Sequence, residues 1–266
     1  MGKGILTSFS STDLRQLGGT DIHVSPLGLG TVKFGRNTDV KYPQPYNIPD
    51  KTHLDSLVSF AGELGINLLD TAPAYGDSEA KLGQLLRGRR HDWIISTKVG
   101  ERYVDGKSSF DFSAHSIRQS IESSLLRLGT DYLDIILIHS NGKDEQILQQ
   151  SDVVSELVLL RDMGTIRCIG ASTKTIEGGL LALEMLDLVM IAYNPDDTSQ
   201  AELLQEAERR NKGVIIKKAL ASGHAANVQK NIEFVLRSKI VSSAIVGTIN
   251  PNHLRQNVGY AVSAIQ

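Results

Sequence analysis

The amino-acid sequence predicts an α/β fold, a (β/α)8 barrel of the TIM type. Short apolar segments alternate with helical patterns along the chain, which is typical of a parallel sheet with helical crossovers. Several apolar segments are continuous runs, as expected for strands that are buried on both faces: 135–138, 188–192 and 214–216. Eight strand–helix units fit into the 266 residues, as a closed barrel of this type requires.

An open, doubly wound sheet is the alternative fold for the same alternation. It favours a G-x-G-x-x-G pattern after the first strand, followed promptly by a helix. Gly28 and Gly30 are present, but Gly35 does not restore the spacing, and no helical pattern follows promptly. The barrel is therefore the favoured interpretation.

The elements follow one another in a regular order. The segments predicted to be strands are 27–31, 67–70, 93–98, 133–138, 166–171, 188–192, 214–217 and 243–246. The segments predicted to be helices are 51–64, 77–87, 113–128, 144–163, 176–186, 198–211, 226–238 and 251–264. Ser113 is a candidate N-cap, and Gly65, Gly129 and Gly164 stand where helices are expected to end.

The N-terminal part of the chain precedes the first barrel strand. Residues 12–24, with Gly18 and Gly19 in the middle, predict a β-hairpin that caps the bottom of the barrel. We expect residues 1–11 to be flexible, and residues 1–266 to form one barrel domain.

The composition argues against several classes of function. The 28 basic and 30 acidic residues give a net charge of −2, without the footprint of a nucleic-acid or membrane-surface protein. No apolar run reaches the ~18 residues of a membrane span, and residues 1–11 lack the apolar core of a signal peptide. The single cysteine, Cys168, excludes an internal disulfide and a cysteine-rich metal site. We expect a cytoplasmic protein without a metal ion, either a monomer or a weak homo-oligomer.

Polar side chains fall at the ends of the predicted strands. Asp70 ends the second strand, with Tyr75 in its loop; Lys98 ends the third strand, and His139 follows the fourth. Because the carboxyl ends of barrel strands meet at one mouth, these side chains are expected to lie close together. One such residue alone is more often structural, but four of them at the same end predict a catalytic site.

The chemistry of these four side chains is complementary. The phenol of Tyr75 has an ordinary pKa of about 10, and the ammonium of Lys98 favours the phenolate and lowers that pKa. Asp70 holds the ammonium in place, and a neutral His139 can donate a hydrogen bond that orients a carbonyl oxygen. Such a site can protonate an oxygen that gains charge, which is half of a carbonyl reduction. The other half is a hydride, which implies a nicotinamide cofactor.

The sequence resembles the aldo-keto reductase superfamily from about residue 14 to 257. The stretches that carry the resemblance, in the family's order, are 27–31, 69–72, 74–76, 96–100, 128–134, 137–140, 164–167, 170–172 and 245–251. The resemblance implies a reductase of aldehydes or ketones that uses NADPH or NADH and acts on a small-molecule carbonyl substrate. It implies that Asp70, Tyr75, Lys98 and His139 are the catalytic residues.

The resemblance also implies where the cofactor binds. The positions carried over are Thr31, Val32, Asp70, Ser172, Lys217, Leu220, Ser222, Gly247, Thr248 and Asn257. Some positions depart from the family's usual residues. Thr173 replaces an asparagine, Met190 the glutamine under the nicotinamide, and Lys217 the aromatic residue that stacks on the ring. The basic residues that many members use for the 2′-phosphate correspond to Gly247 and His253.

These departures leave more than one interpretation open. Losing a stacked ring and a bidentate amide can weaken cofactor binding by about one to two orders of magnitude. Lys217 and Lys218 can compensate by meeting the pyrophosphate as point charges, or they can line the pocket for another purpose. The alternatives to an enzyme are a nicotinamide-cofactor-binding sensor or regulatory barrel with little turnover, and a barrel that binds another anionic ligand. The long loop predicted at 35–50 is a candidate wall for the pocket, alongside residues 101–111.

Overall fold

The computed structural model describes residues 7–266 of the chain. Within this range the β-strands are β1 (Arg15–Gln16), β2 (His23–Val24), β3 (Leu27–Gly30), β4 (Leu68–Asp70), β5 (Ile94–Val99), β6 (Glu101–Val104), β7 (Lys107–Phe110), β8 (Leu133–His139), β9 (Ile166–Ser172), β10 (Leu188–Ala192), β11 (Gly213–Lys217) and β12 (Val241–Val246). The α-helices are α1 (Val32–Gly35), α2 (Lys51–Glu63), α3 (Ser78–Leu85), α4 (Ala114–Leu128), α5 (Asp144–Gln150), α6 (Val153–Asp162), α7 (Ile176–Met185), α8 (Glu202–Arg209), α9 (Val228–Leu236) and α10 (Pro251–Ile265). Short 3₁₀ helices cover Ser11–Asp13, Arg90–Asp92 and Ala221–Gly223.

Eight of the strands form a closed, parallel barrel. Their order is β3, β4, β5, β8, β9, β10, β11 and β12, and β12 pairs with β3 to close the ring. The predicted (β/α)8 barrel is therefore confirmed. Each barrel strand overlaps its predicted segment, and the bounds differ by at most two residues.

Helices surround the barrel and bury their apolar faces against it. The helix ends use the residues that the sequence indicated. The side chain of Ser113 accepts a hydrogen bond from the N–H of Ser116 at the start of α4, and Gly129 follows that helix with a φ of 65°. Among residues 7–266, none of the helices has the length and apolar character needed to span a membrane.

Inside the barrel, apolar side chains fill the middle, and polar side chains lie at the mouth, where the strands have their carboxyl ends. The strand residues of the apolar layer are Leu68, Ile135, Leu137, Cys168, Leu188, Met190 and Ile215. Side chains along a strand alternate between its two faces, so the second residue after Leu68 again faces inward, and it is Asp70. The same step leads from Leu137 to His139. The alternation therefore places the candidate residues inside the mouth.

The hairpin of β1 and β2 closes the opposite end of the barrel, as predicted. Leu17, Ile22 and Val24 are fully buried and join the interior apolar layer. Arg15 ties the hairpin to the start of β12, because its guanidinium donates to the carbonyl of Val241 at 2.6 Å.

The segment 1–11, which we expected to be flexible, is only partly covered by the structure. Residues 1–6 lie outside the described residues. Phe9 is buried, and its N–H donates to the carbonyl of Leu64 at 2.9 Å. This part of the segment packs against the end of α2.

Three local features differ from the sequence-based expectation. A short helix, α1, directly follows β3. The segment 101–111 contains the antiparallel pair β6–β7, whose residues are mostly exposed and carry no apolar pattern. The helix expected over 144–163 is two helices, because Ser151 has an extended backbone and its hydroxyl donates to the carbonyl of Ile147.

Candidate active site

The carboxyl ends of the barrel strands open into a cavity of about 1070 Å³. The candidate residues from the sequence all line it: Thr31, Val32, Asp70, Tyr75, Lys98, His139, Ser172, Lys217, Leu220, Ser222, Gly247, Thr248 and Asn257. Met190, Thr173 and His253, the positions that depart from the family pattern, line the same cavity. The fold thus brings the predicted site residues together at one mouth.

Asp70 and Lys98 form a buried ion pair on adjacent strands. Nζ of Lys98 donates to Oδ1 of Asp70 at 2.7 Å and to the carbonyl of Thr71 at 2.8 Å. The hydroxyl of Ser96 donates to the same carboxylate at 3.2 Å. Burial alone would lower the pKa of Lys98, but the charges of Asp70 and Tyr75 and the hydrogen bonds to them together outweigh burial, and the pKa lies above its usual value. Lys98 is therefore charged at neutral pH.

Tyr75 is held in a tight turn between β4 and α3. Its N–H donates to the carbonyl of Ala72 at 3.0 Å. The next residue, Gly76, has a φ of 63°, a conformation that favours glycine. A β-carbon at Gly76 would also come within 2.1 Å of the carbonyl oxygen of Gly35. The turn that aims the phenol therefore requires a glycine directly after the tyrosine.

The ring of Tyr75 contacts both Lys98 and His139. Nζ of Lys98 lies 4.9 Å from the centroid of the phenol ring, and the imidazole packs edge-on with the ring centroids 6.5 Å apart. Burial raises the pKa of Tyr75, and the charge of Lys98 acts in the opposite direction without overcoming it. The net shift is thus upward, contrary to the lowering that we expected from the sequence. The phenol keeps its proton at neutral pH, which suits a proton donor.

His139 has a partner that the sequence analysis missed. Oε2 of Glu101 lies 2.7 Å from Nδ1 of His139, off the line of the Nδ1–H bond. Burial raises the pKa of Glu101, but the contacts with His139 and Ser108 outweigh it and bring the pKa to about 2. Burial also lowers the pKa of His139. No sequence pattern distinguishes Glu101 from the other charged residues of this segment, so only the folded hairpin shows its position.

Lys217 engages the polar groups at the end of β9. Its Nζ donates to Oγ of Ser172 at 2.8 Å and to the carbonyl of Thr173 at 2.7 Å. Burial, helped by the charges of Lys218 and Lys174, lowers the pKa of Lys217 to about 7. The buried hydroxyl of Thr173 has no hydrogen-bond partner within residues 7–266. A ligand with a polar group can satisfy it.

Basic side chains outnumber acidic ones around the cavity. Seven are lysine or arginine, namely Lys33, Arg36, Lys41, Lys98, Lys174, Lys217 and Lys218, against Asp39, Asp70 and Asp197. The whole chain has a net charge of −2, so positive charge is concentrated at the mouth. Across residues 7–266, Lys174, Lys217 and Lys218 form no ion pair with a carboxylate. This part of the mouth therefore favours an anionic ligand.

The far end of the cavity is formed by the residues after β11 and β12. Leu220 and Ser222 follow β11, and Gly247 and Thr248 follow β12. Helix α10 begins beside them with Asn250 as its N-cap, and the positive end of the helix dipole lies there. This end adds to the attraction for an anion.

The long loop between α1 and α2 covers part of the mouth. A β-carbon on Gly247 would come within 2.4 Å of the hydroxyl of Tyr42, so this tyrosine packs directly on that glycine. Nζ of Lys33 lies 3.9 Å from the centroid of the Tyr42 ring. The hydroxyl of Tyr103 in β6 donates to Asp39 of the loop, which joins the loop to the β6–β7 hairpin. Tyr42 thus forms part of the cavity wall.

A polar cavity at the carboxyl ends of the strands is where barrel enzymes have their active sites. The Aldo/keto reductase family model matches residues 26–233. The chain belongs to this family, as the sequence motifs implied.

Individual relatives agree with this assignment. A putative aldo-keto reductase of Pseudomonas aeruginosa is 46% identical in sequence and superposes with a TM-score of 0.91 over 98% of both chains. L-galactose dehydrogenase of Arabidopsis thaliana is 29% identical over 92% of this chain and 87% of its own length. An uncharacterized oxidoreductase of Bacillus subtilis, YqkF, is 34% identical over 60% of this chain, and the match spans about half (48%) of that protein.

Proposed function

We propose that this protein is an NAD(P)H-dependent oxidoreductase that reduces the carbonyl group of small aldehydes or ketones to an alcohol. The observation that carries the proposal is the half-buried Tyr75 phenol, which holds its proton beside the charged Lys98. A proton donor next to a fixed positive charge is what a carbonyl oxygen needs when it gains negative charge.

Each of the four residues has a distinct role in this proposal. Tyr75 donates its proton to the oxygen of the substrate as negative charge develops there. Lys98 stabilises the phenolate that remains, and Asp70 keeps the ammonium charged and in place through the 2.7 Å contact. His139 lies against the phenol and orients the carbonyl oxygen through a ring nitrogen.

The residues of the cavity fit a nicotinamide dinucleotide, which we propose is NADPH, with NADH as the alternative. When bound, this cofactor supplies the hydride that no side chain can provide. The unpartnered hydroxyl of Thr173, the lysines without acidic partners and the start of α10 all suit a ligand with amide and phosphate groups. The positions implied by the family resemblance hold it in this proposal, from Thr31 and Ser172 to Asn257.

We also propose that the protein works in the cytoplasm. Its sole cysteine, Cys168, is a free thiol buried in the barrel. Burial raises the pKa of this thiol well above its usual value, which makes it unreactive. A lone buried thiol is typical of a reducing compartment.

The test is the reduction of 4-nitrobenzaldehyde by NADPH, with wild-type protein and Tyr75→Phe. We expect Tyr75→Phe to lose about 10²- to 10⁴-fold in rate, because general acid catalysis contributes on this order. NADPH binding, followed by fluorescence, should remain. Tyr132→Phe is the matched control, since the Tyr132 ring lies against Arg90 at the other end of the barrel.

A rate for Tyr75→Phe within about tenfold of wild type would show that the role given to Tyr75 is wrong. Tight NADPH binding without turnover across a broad panel of carbonyls would instead favour a regulatory barrel. The named relatives are oxidoreductases and give that alternative no support.

A further inference from the structure

The β6–β7 hairpin places the carboxylate of Glu101 beside Nδ1 of His139, the ring nitrogen that is buried. Gly100, with a φ of 99°, turns the chain out of β5 and into β6. A β-carbon at Gly100 would come within 2.2 Å of the ring of Phe112, so the turn is tightly packed. Glu101 is the first residue after this turn.

Two contacts fix the carboxylate of Glu101. Oε1 accepts a hydrogen bond from the hydroxyl of Ser108 in β7 at 2.6 Å. Oε2 lies 2.7 Å from Nδ1 of His139. The side chain of Glu101 is only 13% exposed and that of His139 21%, so water screens this pair weakly.

The short distance defines where the proton of the imidazole lies. If Nδ1 carried a lone pair, that lone pair and the carboxylate oxygen would repel each other at 2.7 Å. A proton on Nδ1 removes the repulsion and is attracted by the carboxylate. Nδ1 is buried, so Nε2 is the nitrogen left for a ligand in the cavity.

We propose that Glu101 is a positioning residue that keeps a proton on Nδ1 of His139 and thereby sets what Nε2 can do. The part of this inference that concerns turnover rests on the proposed function. With a neutral imidazole, Nε2 is an acceptor and suits the hydroxyl of an alcohol. With a protonated imidazole, Nε2 is a donor and suits a carbonyl oxygen. Glu101 favours the protonated form, in which Nε2 can donate while Nδ1 keeps its proton. In this proposal the charged imidazole therefore donates to the carbonyl oxygen, in place of the neutral imidazole that we expected from the sequence.

Other charged groups also face the imidazole. Lys98 from β5 and Lys217 from β11 oppose its protonation, and the phenol of Tyr75 packs edge-on against it. The carboxylate of Glu101 favours the charged imidazole, whereas both lysines oppose it. Removing its charge should therefore shift the balance of His139 strongly toward the neutral form.

The test is an NMR titration of the histidine imidazoles in the cofactor-free, full-length protein. His139 is one of seven histidines, and its signal is assigned with His139→Gln. In wild type we expect nitrogen shifts that show a proton on Nδ1 throughout the titration. In Glu101→Gln we expect the pKa of His139 to fall by about one to two units, as loss of a neighbouring opposite charge predicts.

The matched control is Glu122→Gln, which removes an exposed carboxylate on α4 and should leave the His139 titration unchanged. Ser108→Ala keeps the carboxylate but frees it from the hairpin, and should give a smaller shift in the same direction. An unchanged pKa and tautomer in Glu101→Gln would overturn the proposal. The NMR result does not depend on turnover, so it decides the role of Glu101 even if the protein reduces no carbonyl.

A second readout applies once carbonyl reduction is measured. In Glu101→Gln, the pH at which kcat falls on the alkaline side should move down by the same one to two units, ~10- to 100-fold in proton concentration. A profile that keeps its shape while only its height falls would contradict the proposed coupling.

Discussion

The two ends of the cavity differ in whether their charged side chains have partners within the protein. Around Tyr75, each charged group has an internal partner: Lys98 meets Asp70, and His139 meets Glu101. At the other end, Lys217 and its neighbours Lys174 and Lys218 have no carboxylate partner within residues 7–266. The first end is neutralised by the protein before any ligand arrives, whereas the second end leaves its positive charge for a ligand.

Because of this difference, stability should depend on the charges of the Tyr75 end, and ligand binding on the charges of the Lys217 end. A buried, paired charge is costly to remove, because its partner remains buried and uncompensated. A buried charge without a partner already opposes folding, so its removal should cost the fold little. The two ends can therefore be distinguished by comparing matched lysine substitutions.

The largest expected effect is that of Lys98→Met. This variant leaves the Asp70 carboxylate buried without its ammonium, which should lower the free energy of unfolding by about 3–5 kcal/mol. It should also abolish turnover, because no charge then stabilises the phenolate of Tyr75. Urea denaturation measures the first effect, and NADPH oxidation with an aldehyde the second.

Lys217→Met is the control for this comparison, since it replaces a lysine of the same mouth by the same side chain. At pH 7 it should lower the free energy of unfolding by less than about 1 kcal/mol, because the charge that it removes already opposes folding. Equal losses in the two variants would show that the ends of the cavity do not differ as described.

The second prediction concerns how Lys217 affects stability as the pH changes. Its pKa is lowered to about 7 in the folded protein, so the unfolded chain binds an extra proton between that pH and the ordinary lysine pKa. Above about pH 7, the free energy of unfolding of wild type should therefore rise relative to that of Lys217→Met. The rise is at most about 1.4 kcal/mol per pH unit.

Urea midpoints of both proteins at pH 6, 7, 8 and 9 give this slope directly. Below about pH 7 the difference between them should be constant, because Lys217 is then protonated in both the folded and the unfolded state. A difference that does not change from pH 6 to 9 would mean that Lys217 keeps an ordinary pKa in the folded protein.

The sequence predicts the Tyr75 end of the cavity better than the Lys217 end, for a physical reason. Asp70, Lys98 and His139 follow apolar strands with a period of two, so pattern alone places them inside the mouth. Asp70 and Lys98 are also each other's partners. The barrel and its eight strands follow from the same apolar segments, which need no knowledge of distant contacts.

What the sequence did not predict depends on contacts between segments that are far apart or lack a pattern. Glu101 lies on a polar, exposed hairpin, and nothing local shows that it reaches His139. The upward pKa shift of Tyr75 depends on how deeply the folded barrel buries the phenol. The hydrogen bond from Lys217 to Ser172 joins residues 45 positions apart in the chain. Each of these is a property of the closed mouth rather than of a segment.

The smallest expected effect concerns the exposed end of the lysine cluster. Lys218 lines the cavity but is exposed, and the carbonyl of its backbone is held by the side-chain amide of Asn194 at 3.0 Å. Lys218→Gln should leave the urea midpoint unchanged and weaken NADPH binding by about 3- to 10-fold, the range for one solvated charge facing a phosphate. Because salt screens exposed charges, the loss of NADPH affinity should shrink when the ionic strength is raised from 20 to about 500 mM.

Fluorescence titrations at both salt concentrations measure the loss of NADPH affinity, with Lys239→Gln as an exposed control away from the cavity. An equal loss for Lys239→Gln would mean that overall charge, and not the lysines of the mouth, attracts the cofactor.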